Sequence, residues 1–291
     1  MFVRKNKTGI SKKTQNQIVD TLLYLGIIYL SIQLLRLFCF ASFKIPSDSM
    51  QPALIAGDHI LVNKTIPGAR IFDIIASIKG ERVKIWRTPG WKKLKRNDII
   101  VFNIPYPDKS DTIRMDIMKY YVKRCIALPG DTFSIQKGIY KVTGEQKPLG
   151  NTKAQRQLQT MRNEYPEWIF TGLNGWDITE FGPLFIPQKG STIPINNDNI
   201  KIYERLIHFE TGQQIKTEGE KITLNGQPIH NYTFNKNYYF AAGDNVADSQ
   251  DSRYWGLLPE EYIVGKAWII WKSVDQHNNT LRWNRFLKKI K

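Results

Sequence analysis

Residues Thr21–Phe43 read TLLYLGIIYLSIQLLRLFCFASF, an apolar run whose only strongly polar members are Gln33 and Arg36. At about 1.5 Å of rise per residue it is long enough to cross a bilayer as one helix, and Arg36 near its far end can snorkel to the interface. A cleavable targeting peptide is the rival reading. The run is longer than the apolar part of such a peptide and Ala41-Ser42-Phe43 makes a poor small-residue exit, so a permanent anchor over 21–43 is expected.

After Phe43 the period shortens. Asp58-His59-Ile60-Leu61-Val62-Asn63 follows the turn residue Gly57, and Ile99-Ile100-Val101-Phe102 follows Lys95-Arg96-Asn97-Asp98, each reading as a turn leading into a short strand. Tyr120–Ala127 is strand-like, Leu128-Pro129-Gly130-Asp131 turns the chain, and Thr223-Leu224-Asn225-Gly226-Gln227 carries an Asn-Gly hairpin signal. The expected fold is mainly β, preceded by one transmembrane helix. Between about Gly144 and Glu218 the chain is polar, with a possible helix near 152–163 and few aligned apolar faces, and reads as a second, inserted lobe. This divides the chain into a basic N-terminus (1–20), an anchor (21–43), a β core (44–143 and 219–275), the lobe (144–218) and a basic tail (276–291).

Charge refines the picture. The 291 residues carry a formal net charge of +16 with 42% hydrophobic residues, which excludes a disordered chain and suits nucleic acid, anionic lipid or the flank of a membrane anchor. Arg4, Lys5, Lys7, Lys12 and Lys13 precede the apolar run, so the positive-inside rule puts the N-terminus in the cytoplasm and the bulk of the protein outside it. The tail Leu281–Lys291 interleaves basic and apolar residues and could lie on an anionic membrane surface or extend as a solvated tail. Cys39 and Cys125 are the only cysteines, too few for a disulfide framework and uninformative about the compartment.

Candidate chemistry begins just after the anchor, in Ile45-Pro46-Ser47-Asp48-Ser49-Met50-Gln51-Pro52. A serine there faces the membrane surface. In Tyr120–Ala127 a lysine, Lys123, sits among aromatic and apolar residues, where desolvation can free its amine to act as a base. Ser49 and Lys123 are the candidate pair. Gly243–Gly256 is dense in hydrogen-bonding groups: Asp251 and Arg253 can pair, and a serine hydroxyl such as that of Ser249 can orient the lysine amine, or the stretch is a structural Asx-rich loop. His59, His208, His230 and His277 lie in no nucleophile context, so a Ser-His-Asp triad is disfavoured. No Cys/His cluster has zinc spacing and no glycine-rich loop matches a phosphate cradle, so neither metal nor cofactor is expected.

Taken in order, the anchor, Ser47–Pro52, Gly57–Lys64, Arg96–Phe102, Tyr121–Asp131 and Gly243–Gly256 resemble the bacterial type I signal peptidases, membrane-bound Ser-Lys serine endopeptidases. The resemblance implies a signal-peptidase-like β-sheet catalytic core, with Ser49 as nucleophile and Lys123 as general base. It implies an oxyanion site made by the Ser49 backbone N–H and the Ser47 hydroxyl, with Ser249 orienting the lysine and Asp251 and Arg253 bracing the site. Asp244 and Asn245 are given only a structural role. Shallow apolar subsites for small side chains are implied around Ile45, Pro46, Met50, Leu54, Tyr121 and Val122.

The implied substrates are the signal peptides of exported preproteins, cut after Ala-x-Ala type sites. The implied setting is the bacterial plasma (inner) membrane, with lipid as a partner, the secretion translocon as a candidate contact and nucleic acid excluded. Asp48 departs from the family pattern, standing where glycine is usual, as do Ala241-Ala242 and Val246-Ala247 in place of bulkier and more polar residues. A related protease dedicated to one exported substrate and a non-catalytic, membrane-tethered β module are the alternatives.

Overall fold

The computed structural model describes residues 12–79, 81, 83–106, 112–160 and 175–290. Arg4, Lys5 and Lys7 of the basic N-terminus and the last three positions of the helix expected at 152–163 lie outside the described residues.

Among the described residues one helix, Lys12–Phe38, is long and apolar enough to cross a membrane, with none of its residues buried against the rest of the chain. It ends earlier than the apolar run does. Residues Phe40–Lys44 leave the helix and form β1, pairing with Asp58–Asn63 (β2) from Phe40 opposite Asn63 to Lys44 opposite His59. The aromatic and small residues at 40–43 suit a pleated surface, and ladder pairing supersedes the helix there.

The main sheet has eight strands. After β1 and β2 come β3 (Ile99–Asn103), β4 (Tyr120–Ala127), β5 (Tyr238–Ala242), β6 (Leu258–Pro259), β7 (Ile263–Ser273) and β8 (Lys288–Lys289). Their order is β1-β2-β7-β3-β4-β5-β6, with β8 added to β7. The long strand β7 thus closes the sheet between β2 and β3, antiparallel to both.

Alternate residues of β3 feed two cores. Ile100 and Phe102 join a large cluster that includes Phe133, Phe181 and Phe240, while Ile99 and Val101 join a small one with Ile45, Met50, Leu54, Ile60 and Val62. Burying both faces of a strand requires apolar residues at successive positions, and all five β3 residues are buried. The small core lies under the loop between β1 and β2.

The polar region read as an inserted lobe holds a helix at Thr152–Thr160 and a second at Ile200–Thr211, with small sheets on either side. The second helix was not legible as such. It buries Ile200, Tyr203, Leu206 and Ile207 and ends at Gly212, whose φ of 72° is a left-handed cap that glycine favours. These side chains belong to the same large core as β4 and β5, so the lobe packs on the main sheet through shared apolar contacts.

The basic tail is folded. Ile290 N–H donates to the Trp268 carbonyl at 3.1 Å, Lys288–Lys289 pair with β7, and Arg285 is buried against Asp58.

Candidate active site

The β1–β2 loop carries Ser47 and Ser49. Its two ends are zipped together, Ile45 N–H donating to the Asp58 carbonyl and Gly57 N–H to the Ile45 carbonyl at 2.8 and 2.9 Å. Met50 and Leu54 plug the loop into the small core. Asp48, the charged residue beside the nucleophile candidate, accepts the Ala56 N–H at 2.9 Å through its carboxylate. That hydrogen bond holds the Asp48 carboxyl below its ordinary value, and it ties one side of the loop to the other. The side chain therefore closes the loop across eight residues, a role a glycine cannot perform.

Lys123 projects from β4. Its Nζ lies 2.6 Å from Ser49 Oγ, and the residue is only 5% exposed. Burial lowers its pKa from 10.5 to about 8; Asp251 opposes that shift and Arg253 adds to it. Tyr121 places its ring 5.8 Å from the Nζ on the same strand. The neighbouring Arg124 leaves the strand on the opposite face and grips Asp244 with two hydrogen bonds of 2.7 and 2.6 Å, both groups buried. This ion pair joins β4 to the end of β5, the element from which the Gly243–Gly256 loop departs. Arg124 escaped the sequence reading; the signal for it was the Lys-Arg pair itself, since adjacent strand residues must serve two faces.

Behind Lys123 lies a fully buried hub. Asp251 receives Arg253 Nε and Nη2 at 2.8 Å each, the Ser249 hydroxyl at 2.8 Å and the Gly243 N–H at 2.9 Å. Burial raises the Asp251 pKa, but Arg253, Lys123 and the hydrogen bonds outweigh it and the carboxyl lies below its ordinary value. Arg253 is held protonated by the same partner despite its burial. Ser249 thus directs its hydroxyl proton to Asp251 and makes no hydrogen bond to Lys123 among the described residues, so it supports the hub rather than orienting the lysine amine directly.

Gly243 sits in a tight place. A Cβ there would fall 2.2 Å from Ser249 Oγ and 2.6 Å from the Ser49 carbonyl oxygen, so only glycine lets the three segments meet. Two residues on, Asn245 N–H donates to that Ser49 carbonyl at 3.1 Å. Asn245 is in this way a direct backbone brace of the nucleophile candidate.

A cleft of about 280 Å³ opens in front of Ser49 and Lys123. Ile45, Pro46, Ser47, Met50, Tyr121 and Val122 line it, together with Asp248 and Gln250, which sequence reasoning did not select. Leu54 does not reach it and lies fully buried beneath the loop. Phe43 and Tyr120, with ring centroids 4.9 Å apart, flank its outer end. Along β4, β5 pairs only with residues from Arg124 onward, so Tyr120–Lys123 present an edge to the cleft that β5 leaves unpaired. Neither the Ser49 N–H nor the Ser47 hydroxyl has a hydrogen-bond partner among the described residues.

Such an arrangement suits acyl transfer. A serine hydroxyl touches a desolvated amine, two free donors stand beside it, and an unpaired strand edge can hold an extended peptide. No group of three or more metal-ligating side chains occurs among the described residues.

Residues 18–272 match the family model described as signal peptidase, peptidase S26. The chain is 31% identical over 258 residues to the signal peptidase I of Buchnera aphidicola subsp. Acyrthosiphon pisum, covering 87% of this chain and 74% of that protein. It is 30% identical over 281 residues to the signal peptidase I of Haemophilus influenzae, covering 89% and 72%. A third relative, the signal peptidase I of Helicobacter pylori strain 26695, is 27% identical with 89% of each chain covered.

Proposed function

The chain belongs to the signal peptidase family, peptidase S26, and on that premise we propose that Ser49 and Lys123 carry out its reaction, the removal of signal peptides from exported proteins. The observation that carries the assignment is the 2.6 Å approach of Lys123 Nζ to Ser49 Oγ at a buried amine.

The neutral Lys123 amine takes the Ser49 hydroxyl proton as Oγ attacks the scissile carbonyl. The oxyanion that forms accepts from the Ser49 N–H and the Ser47 hydroxyl. The Lys123 ammonium then gives its proton to the departing amine, leaving an acyl ester on Ser49. Water, deprotonated by the regenerated Lys123 amine, hydrolyses that ester and restores the hydroxyl. Ser249, Asp251 and Arg253 act one layer back: the hub they form fixes Gly243, and through it the Ser49 backbone.

Substrate binds as an added strand along Tyr120–Lys123, with small side chains entering the subsites formed by Ile45, Pro46, Met50, Tyr121 and Val122. The side chains lining the cleft exclude larger residues by contact, which gives the preference for Ala-x-Ala type sites. The helix Lys12–Phe38 anchors the protein in the plasma membrane with its N-terminus in the cytoplasm and the catalytic body outside, beside lipid and the translocon that delivers preproteins. Confinement to the substrate's own membrane raises the effective concentration of the cleavage site.

The test is preprotein processing by full-length Ser49→Ala and Lys123→Ala in proteoliposomes. Each is expected to lose on the order of 10⁴-fold or more in rate. Normal processing by either variant overturns the assignment.

A further inference from the structure

A second cleft lies where the sheet meets the anchor, around Asn63 and Lys266. It encloses about 360 Å³ and is lined by Lys92, Lys93, Lys95, Lys266, Lys289 and Trp268, among others. Among the described lining residues Asp98 is the one carboxylate, and it is already paired with Lys266. The remaining lysines are exposed and converge on one concavity.

Its position ties it to the anchor. Phe40 pairs with Asn63 and Asn63 with Lys266, so the cleft starts in the row of the sheet that continues from the anchor helix. Lys64 Nζ donates to the carbonyls of Arg36 and Leu37 at 2.6 and 2.8 Å, pinning the last helical turn to that same corner. Trp268 stacks on Phe40 with ring centroids 6.0 Å apart and remains 46% exposed. Trp91, 84% exposed, is tied by its backbone N–H to the Thr65 carbonyl at 2.9 Å. Indoles and lysines together at the end of an apolar helix are the chemistry of a bilayer interface, where rings sit at headgroup level and ammonium groups meet phosphate.

We propose that this lysine cleft binds the phosphate-bearing headgroup of an anionic phospholipid and so fixes how the catalytic body sits on the membrane. The inference rests on the reading of Lys12–Phe38 as a membrane anchor. The shared chemistry is a phosphate monoanion among ammonium groups; the lipid is the favoured source because acyl chains would run beside Phe40 and Trp268 along the anchor. Fixing the body at that corner restricts the tilt of the catalytic cleft relative to the bilayer.

The test uses the full chain in neutral detergent micelles, titrated separately with dihexanoyl phosphatidylglycerol, dihexanoyl phosphatidylcholine and inorganic phosphate. Phosphatidylglycerol is expected to saturate at a concentration at least tenfold below phosphatidylcholine. The triple variant K92E/K93E/K289E is expected to weaken that binding at least tenfold while cleaving a short soluble peptide at the unaltered rate, and K92Q/K93Q/K289Q to fall between. Equal affinity for the two lipids, or undiminished binding by both variants, overturns the proposal. Phosphate bound as tightly as phosphatidylglycerol overturns the lipid as source. Release of the chain from membranes by alkaline carbonate would overturn the anchor reading instead, a result independent of the titrations.

Discussion

Arg285 donates to both carboxylate oxygens of Asp58, Nε to Oδ1 at 2.9 Å and Nη2 to Oδ2 at 2.6 Å, and the same Nη2 reaches the Ala53 carbonyl at 3.0 Å. Asp58 Oδ2 also accepts the Ile55 N–H at 2.9 Å, and Arg282 donates to the Ala56 carbonyl at 2.9 Å. Two arginines from the last eleven residues of the chain therefore hold one end of the loop that carries Ser49.

Arg285→Ala leaves Asp58 buried without its counterion. A cost of about 3–5 kcal/mol is expected, read as a lowered thermal midpoint, together with a reduced rate of preprotein cleavage because the loop loses its anchor. Unchanged stability would show that the tail does not support the loop.

Gly243→Ala forces a methyl group against Ser249 Oγ and the Ser49 carbonyl, and the second of these is backbone that cannot swing aside. Displacing Ser49 by about 1 Å is expected to cost on the order of 10²-fold in kcat. Circular dichroism of the same variant checks that the sheet survives. Full activity would mean that Ser49 is positioned independently of the Gly243–Gly256 loop.

Burial lowers the Lys123 pKa to about 8, and in the proposed mechanism the neutral amine is the active form. The value of kcat/KM should climb about tenfold per pH unit below 8 and level off above it. The same burial has a stability sign. The folded-state pKa lies below the ordinary 10.5, so between about pH 8 and 10.5 the unfolded chain binds more protons and stability rises with pH across that window. Below pH 8 the fold must hold a buried ammonium, and Lys123→Met is expected to gain about 1–3 kcal/mol at pH 7 while losing activity. A thermal midpoint lowered by that substitution would contradict the desolvated amine.

Ser47→Ala removes one of the two proposed oxyanion donors and is expected to lower kcat by about 10²–10³-fold with KM little changed. A loss confined to KM would make Ser47 a substrate contact instead.

Much of the site was legible because its chemistry demands particular side chains next to particular backbone turns. The Ser-Met pair after the anchor, the Lys-Arg pair in a strand and the Gly-Asp-Asn loop each combine a polar group with a local signal. The distant partners were not legible. Arg285 meets Asp58 across most of the chain, and nothing local marks either residue as half of a buried pair. Asp48 is legible only as a departure from glycine beside Ser49; nothing local foretells its bond to the Ala56 N–H. Leu54 has the right size and place in sequence for a subsite, but the turn following Met50 points it into the small core. The helix Ile200–Thr211 shows a different limit: its buried positions follow helical spacing and Gly212 closes it, yet the polar sequence around it diluted the signal.

The most direct test of the Ser49–Lys123 dyad is to incubate the full-length protein with a preprotein bearing an Ala-x-Ala site and read the new N-terminus by mass spectrometry, with Ser49→Ala alongside. A single cut directly after that site, absent in the variant, is the predicted result; the same cut made by Ser49→Ala would contradict the assignment.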